Sequence, residues 1–131
     1  RHIEGTGILW VGFLPAQRLA LAGKASSLVI SRAGSTIFEI ANWGRASILI
    51  PLEIARDDHQ RLNAYSYART GAATVIEESN LKPELLTSVI ESIMGDEARR
   101  TAMSTATKEL AKTDAAEKIA QLLLSIATHH D

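Results

Sequence analysis

Four short apolar segments, none of which alternates between apolar and polar residues, constrain the fold more than any other feature. We predict that each segment forms a strand, over residues Gly7–Phe13, Ser27–Ser31, Ser47–Leu52 and Ala72–Glu78. Continuous apolar runs are typical of strands covered on both faces, whereas strands with one solvated face alternate. The sequence therefore predicts an α/β fold with a parallel sheet and flanking helices.

Segments with helical spacing separate these strands. We predict helices over Ala16–Ala25, over Thr36–Trp43, and from a cap at Asp57 or Asp58 to about Thr70. Gly44 and Gly71 follow the second and third of these helices, where a left-handed residue commonly ends a helix. This order of elements is that of consecutive βα units.

The chain from about residue 82 is predicted to be helical. An apolar stripe at helical spacing spans Leu81–Met94, Gly95 ends that helix, and Asp96 is placed to cap the next one. Asp114 and Glu117 have the spacing of a capping box and indicate a further helix. We predict one domain over residues 1–131, which is part of a larger protein.

The composition excludes several classes of protein. The chain has 14 Lys and Arg against 15 Asp and Glu, so it lacks the positive excess that nucleic-acid binding needs. It contains no cysteine, which excludes thiolate chemistry, and no apolar run approaches the roughly 20 residues of a membrane span. Because it begins without Met and almost directly on an apolar segment, we expect it to come from a longer chain.

A small-residue turn joins the second predicted strand to the second helix. Gly34 lets the backbone approach a ligand closely, and Ser35 is a plausible N-cap. The first amides of the helix, at Ser35 and Thr36, suit a phosphate or diphosphate, and Glu39 one turn later suits a ribose diol. A tight turn with a serine cap and a solvated glutamate explains the same residues.

A second polar cluster begins the third predicted helix. His59, Gln60 and Asn63 share one flank of that helix, and side-chain amides suit sugar hydroxyls because they both donate and accept hydrogen bonds. Since the loops after parallel strands open on the same edge of a sheet, this cluster and the Gly34 turn should face one crevice. An ordinary polar helix face is the alternative.

Other polar residues carry weaker signals. Arg32 either meets a phosphate or pairs with a nearby acid, and the sequence does not choose between them. Asp57, Asp58 and His59 suggest a metal, but capping and solvation explain them better, and we predict no metal site. His129, His130 and Asp131 are interpreted as a frayed tail.

The two clusters together have a specific resemblance. The stretches "SRAGSTIFEIANWG", "ILIPL" and "DDHQRLNAYSYARTGAATVIEE" resemble the C-terminal domain of the MurG-type glycosyltransferases. The resemblance runs from about Val11 to Ile126, and it implies a Rossmann-like domain, one of the two in a GT-B arrangement. The chain would be the larger part of that C-terminal domain.

The resemblance implies a role for each motif residue. The turn Ser31–Gly34 and the start of the following helix would lie against the donor diphosphate and sugar, and the segment after the first strand, at Phe13 and Leu14, resembles the uracil-contacting segment. Glu39 would bind the ribose, and the third helix would contact N-acetylglucosamine. The implied donor-binding residues are Leu14, Arg32, Gly34, Ser35, Thr36, Glu39, His59, Gln60 and Asn63.

The sequence also departs from the family pattern. Pro15 stands where acidic or polar residues are common, which bears on the detail of the uracil contact. The Gly-rich turn that opens the family's C-terminal domain is not in this sequence. Neither is the N-terminal acceptor domain, in which the resemblance places the catalytic base.

The implied function is the donor-binding part of an inverting hexosyltransferase. Family members transfer N-acetylglucosamine from UDP-N-acetylglucosamine to a lipid-linked muramoyl-pentapeptide in bacterial peptidoglycan synthesis. The resemblance implies no cofactor besides this substrate, an acceptor bound through the N-terminal domain, and a cytoplasmic location with peripheral contact at the inner face of the cell membrane. We expect little or no activity from this chain alone. Two alternatives stay open: another UDP-sugar transferase of GT-B fold, or a non-catalytic nucleotide- or partner-binding module.

Overall fold

A computed structural model describes residues 2–3, 5–53, 59–112 and 114–128 of the chain. The strands are β1 (His2–Ile3), β2 (Ile8–Leu9), β3 (Val29–Ser31), β4 (Ser47–Leu49) and β5 (Ala73–Val75). The helices are α1 (Ala16–Ala25), α2 (Thr36–Trp43), α3 (His59–Ala68), α4 (Pro83–Met94), α5 (Glu97–Lys112) and α6 (Asp114–Thr128), with a 3-10 turn at Glu78–Asn80 between β5 and α4.

A three-stranded parallel sheet, in the order β3-β4-β5, forms the centre of the described residues. Ile30, Ile48 and Thr74 lie side by side across it. The backbone pairing continues past the strand ends, where Ile50 N donates to Ser31 O at 2.8 Å and Ile76 N donates to Leu49 O at 2.9 Å. The predicted α/β fold with a parallel sheet is confirmed.

The central strand β4 separates two layers of apolar packing. Its side chains alternate, so that Leu49 joins a cluster with α2 and α3, while Ile48 and Ile50 join a cluster with α4. Helix α5 contributes to both clusters, with Leu110 on the first side and Met103 on the second. Burial of β4 on both faces explains its continuous apolar sequence.

Helix ends follow the predicted local signals. Gly44 ends α2 with a left-handed φ of +67°, and Gly71 follows α3 with a φ of +90°. Asp96 Oδ1 accepts a hydrogen bond from Arg99 N at 3.0 Å in the first turn of α5, as its cap role predicts. Helix α4 ends before Gly95, and the helical tail begins at Pro83, close to the predicted residue 82.

The predicted buried strand Gly7–Phe13 is wrong. The segment forms only the two-residue strand β2, which pairs antiparallel with β1, and Phe13 is 86% exposed. Gly5 and Gly7 both have a φ of +72°, and they turn the chain back on itself instead of into the parallel sheet. An apolar run predicts that side chains avoid water, but it does not identify the element that covers them.

Some predictions fall on residues that the structure does not describe. The caps at Asp57 or Asp58, the capping box of Asp114 with Glu117, and the tail residues after Thr128 lie outside the described backbone or side chains. Within the described part of the chain, no helix combines the length and apolar character needed to cross a bilayer.

Candidate donor-binding site

The carboxyl ends of β3, β4 and β5 meet at one edge of the sheet and carry most of the predicted site. Arg32 and Gly34 follow β3, the loop to Glu53 follows β4, and Glu78 follows β5. In open parallel sheets, ligands bind in the crevice beyond this edge. Gly34 and Gln60 come from the predicted phosphate turn and the predicted sugar cluster respectively, so their separation tests whether the two face each other.

Gly34 and Gln60 lie side by side. A Cβ placed on Gly34 would be 3.6 Å from Gln60 Nε2, which is ordinary van der Waals contact. The orientation of the Gln60 amide is fixed, because its Oε1 accepts a hydrogen bond from Leu52 N at 2.8 Å. Gln60 therefore presents its Nε2 donors, not its oxygen, to the Gly34 turn.

The start of α2 follows directly from this turn. Ile37 N donates to Gly34 O at 3.2 Å and Phe38 N donates to Ser35 O at 3.1 Å, which closes the first helical turn. The amides before these two have no acceptor within the helix, so they form the positive end of its dipole.

Ser35 occupies the N-cap position, but its side chain makes no capping hydrogen bond among the described residues. Its backbone is helical (φ −60°, ψ −20°), whereas a serine that caps with its side chain has an extended backbone. The predicted side-chain cap is therefore wrong, although the position is right.

Glu39 lies one turn into α2 and is exposed to solvent. It lines a groove of about 290 Å³ between α1 and α2, with Ala16 at the start of α1 and Trp43 at the end of α2. Leu14, half-buried, precedes Ala16 by two residues. A ligand in this groove would therefore run from the start of α1 toward the Glu39 carboxylate.

Helix α3 supplies the second cluster. His59 and Gln60 are half-buried in its first turn, and Asn63 is 2% exposed. A solvated polar face would leave Asn63 in water. The burial of its amide does not agree with the alternative of an ordinary polar helix face.

Arg32 pairs with an acid. Its Nη2 lies 3.0 Å from Glu78 Oε1, and its Nη1 lies 3.5 Å from Ile50 O. Of the two roles that the sequence left open for Arg32, the structure adopts the pairing.

Glu78 and Glu53 tie the loops at this edge together. Glu78 Oε2 accepts from Glu53 N at 3.0 Å, and Glu53 Oε1 accepts from Ser79 N at 3.1 Å. The backbone hydrogen bond from Glu53, and after it the Arg32 guanidinium, lower the pKa of Glu78 below its ordinary value. One carboxylate thus connects the segments that follow all three strands of the parallel sheet.

The sequence reasoning missed Glu53 and Glu78. The sequence did carry a signal for Glu78. It follows β5 as Arg32 follows β3, so both lie at the same edge of the sheet, where their opposite charges can form an ion pair. For metals, the described residues contain no cluster of three or more His, Asp or Glu side chains, while Asp57 and Asp58 lie outside them.

Comparison with known proteins agrees with this fold. Residues 7–119 match the model of the glycosyltransferase family 28 C-terminal domain. The match covers most of the chain, which therefore belongs to this family.

Particular relatives are bacterial transferases. The chain is 35% identical over 128 residues to the UDP-N-acetylglucosamine–N-acetylmuramyl-(pentapeptide) pyrophosphoryl-undecaprenol N-acetylglucosamine transferase of Chlorobium limicola, covering 97% of this chain and 35% of that protein. It is 41% identical over 107 residues to the protein of the same name from Xylella fastidiosa, covering 81% and 29%.

A solved structure shows the same architecture. The crystal structure of Acinetobacter baumannii MurG superposes with a TM-score of 0.69 at 32% identity, covering 88% of this chain and 33% of that one. The chain thus spans about a third of the length of these relatives. What the sequence resemblance implied about the family and the fold class is confirmed.

Proposed function

We propose that this chain is the donor-binding part of an inverting N-acetylglucosaminyltransferase that uses UDP-N-acetylglucosamine. The observation that carries the proposal is the placement of Gly34 against Gln60 Nε2 at the start of α2. It joins helix-terminal amides, which suit a diphosphate, to an amide donor that suits a sugar oxygen. The groove beside Glu39 continues from the same helix toward α1 and suits the nucleoside.

The start of α2 would act on the leaving group. When the glycosidic bond to the diphosphate breaks, negative charge grows on the phosphate oxygens. Oriented amides stabilise that charge more in the transition state than in the ground state, which lowers the barrier. Loss of one such donor typically raises a barrier by about 3–4 kcal/mol. Leu14, His59 and Asn63 would complete the contacts to uracil and sugar.

The acceptor would be bound elsewhere in the full-length protein. The names of the relatives specify a muramyl-pentapeptide on pyrophosphoryl-undecaprenol, which is a lipid-linked acceptor. We propose that the full-length protein uses the same acceptor. It would then act in peptidoglycan synthesis, at the inner face of the cell membrane. The catalytic base would come from its acceptor-binding domain.

Calorimetric titration of the chain with UDP-N-acetylglucosamine, UDP-glucose and UDP tests the proposal. We expect saturable binding of UDP, a further gain for the N-acetylglucosamine derivative over the glucose derivative, and loss of UDP binding in Glu39→Ala. Glu109→Ala is the matched control, because Glu109 is an exposed glutamate on α5, outside the site.

Gly34→Ala tests the turn separately. The added methyl group makes only ordinary contact with Gln60, so the variant should fold while its methyl group occupies the space of the ligand. We expect an unchanged melting temperature and weaker UDP binding. If both Glu39→Ala and Gly34→Ala leave UDP binding intact, the proposed site is wrong. If the chain binds the two UDP-sugars equally well, a different UDP-sugar transferase is favoured. No binding of any nucleotide would favour a non-catalytic module.

A further inference from the structure

A second polar cavity lies at the edge of the sheet opposite to the donor site. It has a volume of about 280 Å³ and lies between α5 and the residues that precede strands β3 and β4. Ser27 precedes β3 and Arg45 precedes β4, whereas Arg32, Gly34 and Glu53 follow their strands. We call this cavity the α5 pocket. It is therefore distinct from the crevice that holds Gly34 and Gln60.

The α5 pocket is lined by positive charge. Arg45, Arg100 and Lys108 line it, and no acidic side chain does so among the described residues. Thr101, Thr105 and Lys108 come from one face of α5, at spacings that bring them into a single row. Three cations without a carboxylate repel one another, so an anion that lies between them is stabilised.

Arg45 provides an independent indication of a ligand. Its Nε is buried and has no hydrogen-bond partner within the described part of the chain. Its carbonyl oxygen lies 3.2 Å from Thr107 Oγ1, which also donates a shorter hydrogen bond of 2.8 Å to Met103 O. A buried guanidinium nitrogen without an acceptor is unfavourable, and an oxyanion that pairs with the part of Arg45 lining the pocket would offset that cost.

The other groups of the pocket are also positioned. Arg100 Nη1 donates to Met94 O at 2.7 Å and to Ile93 O at 3.3 Å, which fixes its guanidinium at the end of α4. The methylene groups of Lys108 pack over Gly44, where a Cβ would meet Lys108 Cγ at 2.9 Å. Hydroxyl groups of Ser27, Thr101 and Thr105 complete the lining and can donate to the same anion.

From this geometry we propose that the α5 pocket binds a phosphate group. Guanidinium and ammonium donors together with hydroxyls are the usual partners of phosphate oxygens. The phosphate belongs either to a soluble compound or to the headgroup of an anionic phospholipid at a membrane surface. The binding is independent of the proposed transferase function, because the two sites share no residue.

Titration with inorganic phosphate against chloride at equal ionic strength tests the proposal. We expect phosphate, but not chloride, to raise the melting temperature in a saturable way. Arg45→Gln and Lys108→Gln should each weaken phosphate binding by about tenfold. Lys112→Gln is the matched control, since Lys112 lies one turn later on the same helix and does not line the pocket. Equal loss in all three variants would overturn the proposal.

A measurement on the unaltered chain covers the case in which a variant fails to fold. The NMR resonance of the Arg45 Nε–H should shift on addition of phosphate, whereas that of Arg69, an exposed arginine directly after α3, should not. Glu39→Ala should leave this shift unchanged, which separates it from binding at the donor site. An Arg45 resonance that does not respond to phosphate would contradict the proposal.

Vesicles distinguish the two sources of phosphate. The phosphate belongs to a lipid headgroup if the chain sediments with phosphatidylglycerol vesicles but not with phosphatidylcholine vesicles, and if Arg45→Gln abolishes that sedimentation. Phosphate binding without vesicle binding would assign a soluble phosphate compound. Absence of both would refute the pocket as a phosphate site.

Discussion

The central strand β4 and the N-terminal apolar segment, residues 8–13, read alike in the sequence but differ in the structure. Ile48 and Leu49 are fully buried between two helical layers, whereas Trp10 is 64% and Phe13 86% exposed. Both segments are continuous apolar runs bounded by turn residues. The difference is that β4 has a strand on each side and helices on each face, whereas among the described residues β2 pairs with β1 alone. An apolar sequence shows that burial of a segment would be favourable, but the segment is buried only where other elements pack against it.

Truncation of one side chain in each region gives the largest contrast. Leu49→Ala should destabilise the fold by about 2–5 kcal/mol, because it leaves a cavity in a core that cannot fully close. Phe13→Ala should change stability by no more than about 0.5 kcal/mol. Urea unfolding followed by circular dichroism measures both, and Ile48→Val replaces the first variant if it does not fold. Equal costs in the two regions would break the comparison.

Alkaline titration extends the contrast to the two tyrosines. Burial raises the pKa of Tyr67 from 10.0 to about 12, because the interior disfavours the phenolate. The unfolded chain releases this proton at a lower pH, so the stabilisation is present below pH 10 and is lost as pH rises through about 12. This loss reaches about 3 kcal/mol.

The variant Tyr65→Phe leaves Tyr67 as the only phenol, so its ultraviolet absorbance reports this group alone. Tyr67→Phe should reduce the alkaline loss of stability, and Tyr65→Phe, which removes the hydroxyl of a residue that is 40% exposed, should not. A titration of Tyr67 near the ordinary value would contradict its burial.

Two glycine-to-alanine substitutions compare a packed helix with the exposed N-terminal segment, with a smaller expected change in stability. A Cβ on Gly23 would lie 2.3 Å from the Trp43 ring, so Gly23→Ala should force α1 and α2 apart and destabilise by about 1–3 kcal/mol. Alanine ordinarily stabilises a helix interior, so a loss here isolates the clash. At Gly12 a Cβ would meet nothing within 4 Å, and Gly12→Ala should be neutral or slightly stabilising. Thermal unfolding compares the two, and a neutral Gly23→Ala would mean that α1 and α2 are not closely packed.

The smallest effect concerns Glu78 at the edge of the sheet. The lowered pKa of Glu78 means that its stabilisation is present above the ordinary value of 4.5 and disappears as pH falls through the folded-state pKa. Glu78→Gln should therefore be less stable than the unaltered chain at neutral pH, with a difference that shrinks in acid. Glu109→Gln, on an exposed part of α5, provides the control. A difference that is constant with pH would exclude the pairing with Arg32 as its cause.

Local signals in the sequence predicted local structure well. Gly44 and Asp96 were identified as a helix end and a helix cap because each acts on amides or carbonyls a few residues away. The same reasoning predicted the N-cap position of Ser35 correctly, but its hydroxyl does not make the capping hydrogen bond. The backbone angles of a turn depend on the residues packed around it, and these angles decide whether the side chain can cap. The parallel sheet was predictable from the continuous apolar strands.

Contacts between distant residues were harder to predict. Arg32 and Glu78 are 46 positions apart, and the position of Glu78 after β5 is a weak signal beside the other acids of the chain. The α5 pocket combines Ser27 with Lys108, which are far apart in the sequence, and no spacing rule connects them. The shared edge for Gly34 and Gln60 was predictable because parallel topology alone brings the loops together.

The hydrogen bond from Leu52 N to Gln60 Oε1 gives the candidate site a fixed polarity. With its oxygen turned toward Leu52 N, the Gln60 amide presents its Nε2 protons to whatever lies beside Gly34. A bound group must then bring lone pairs, as a hydroxyl, a carbonyl or a phosphate oxygen does. An ammonium group at the same point would find no acceptor on Gln60, so this side chain discriminates against aminated ligands through its orientation and not through its charge.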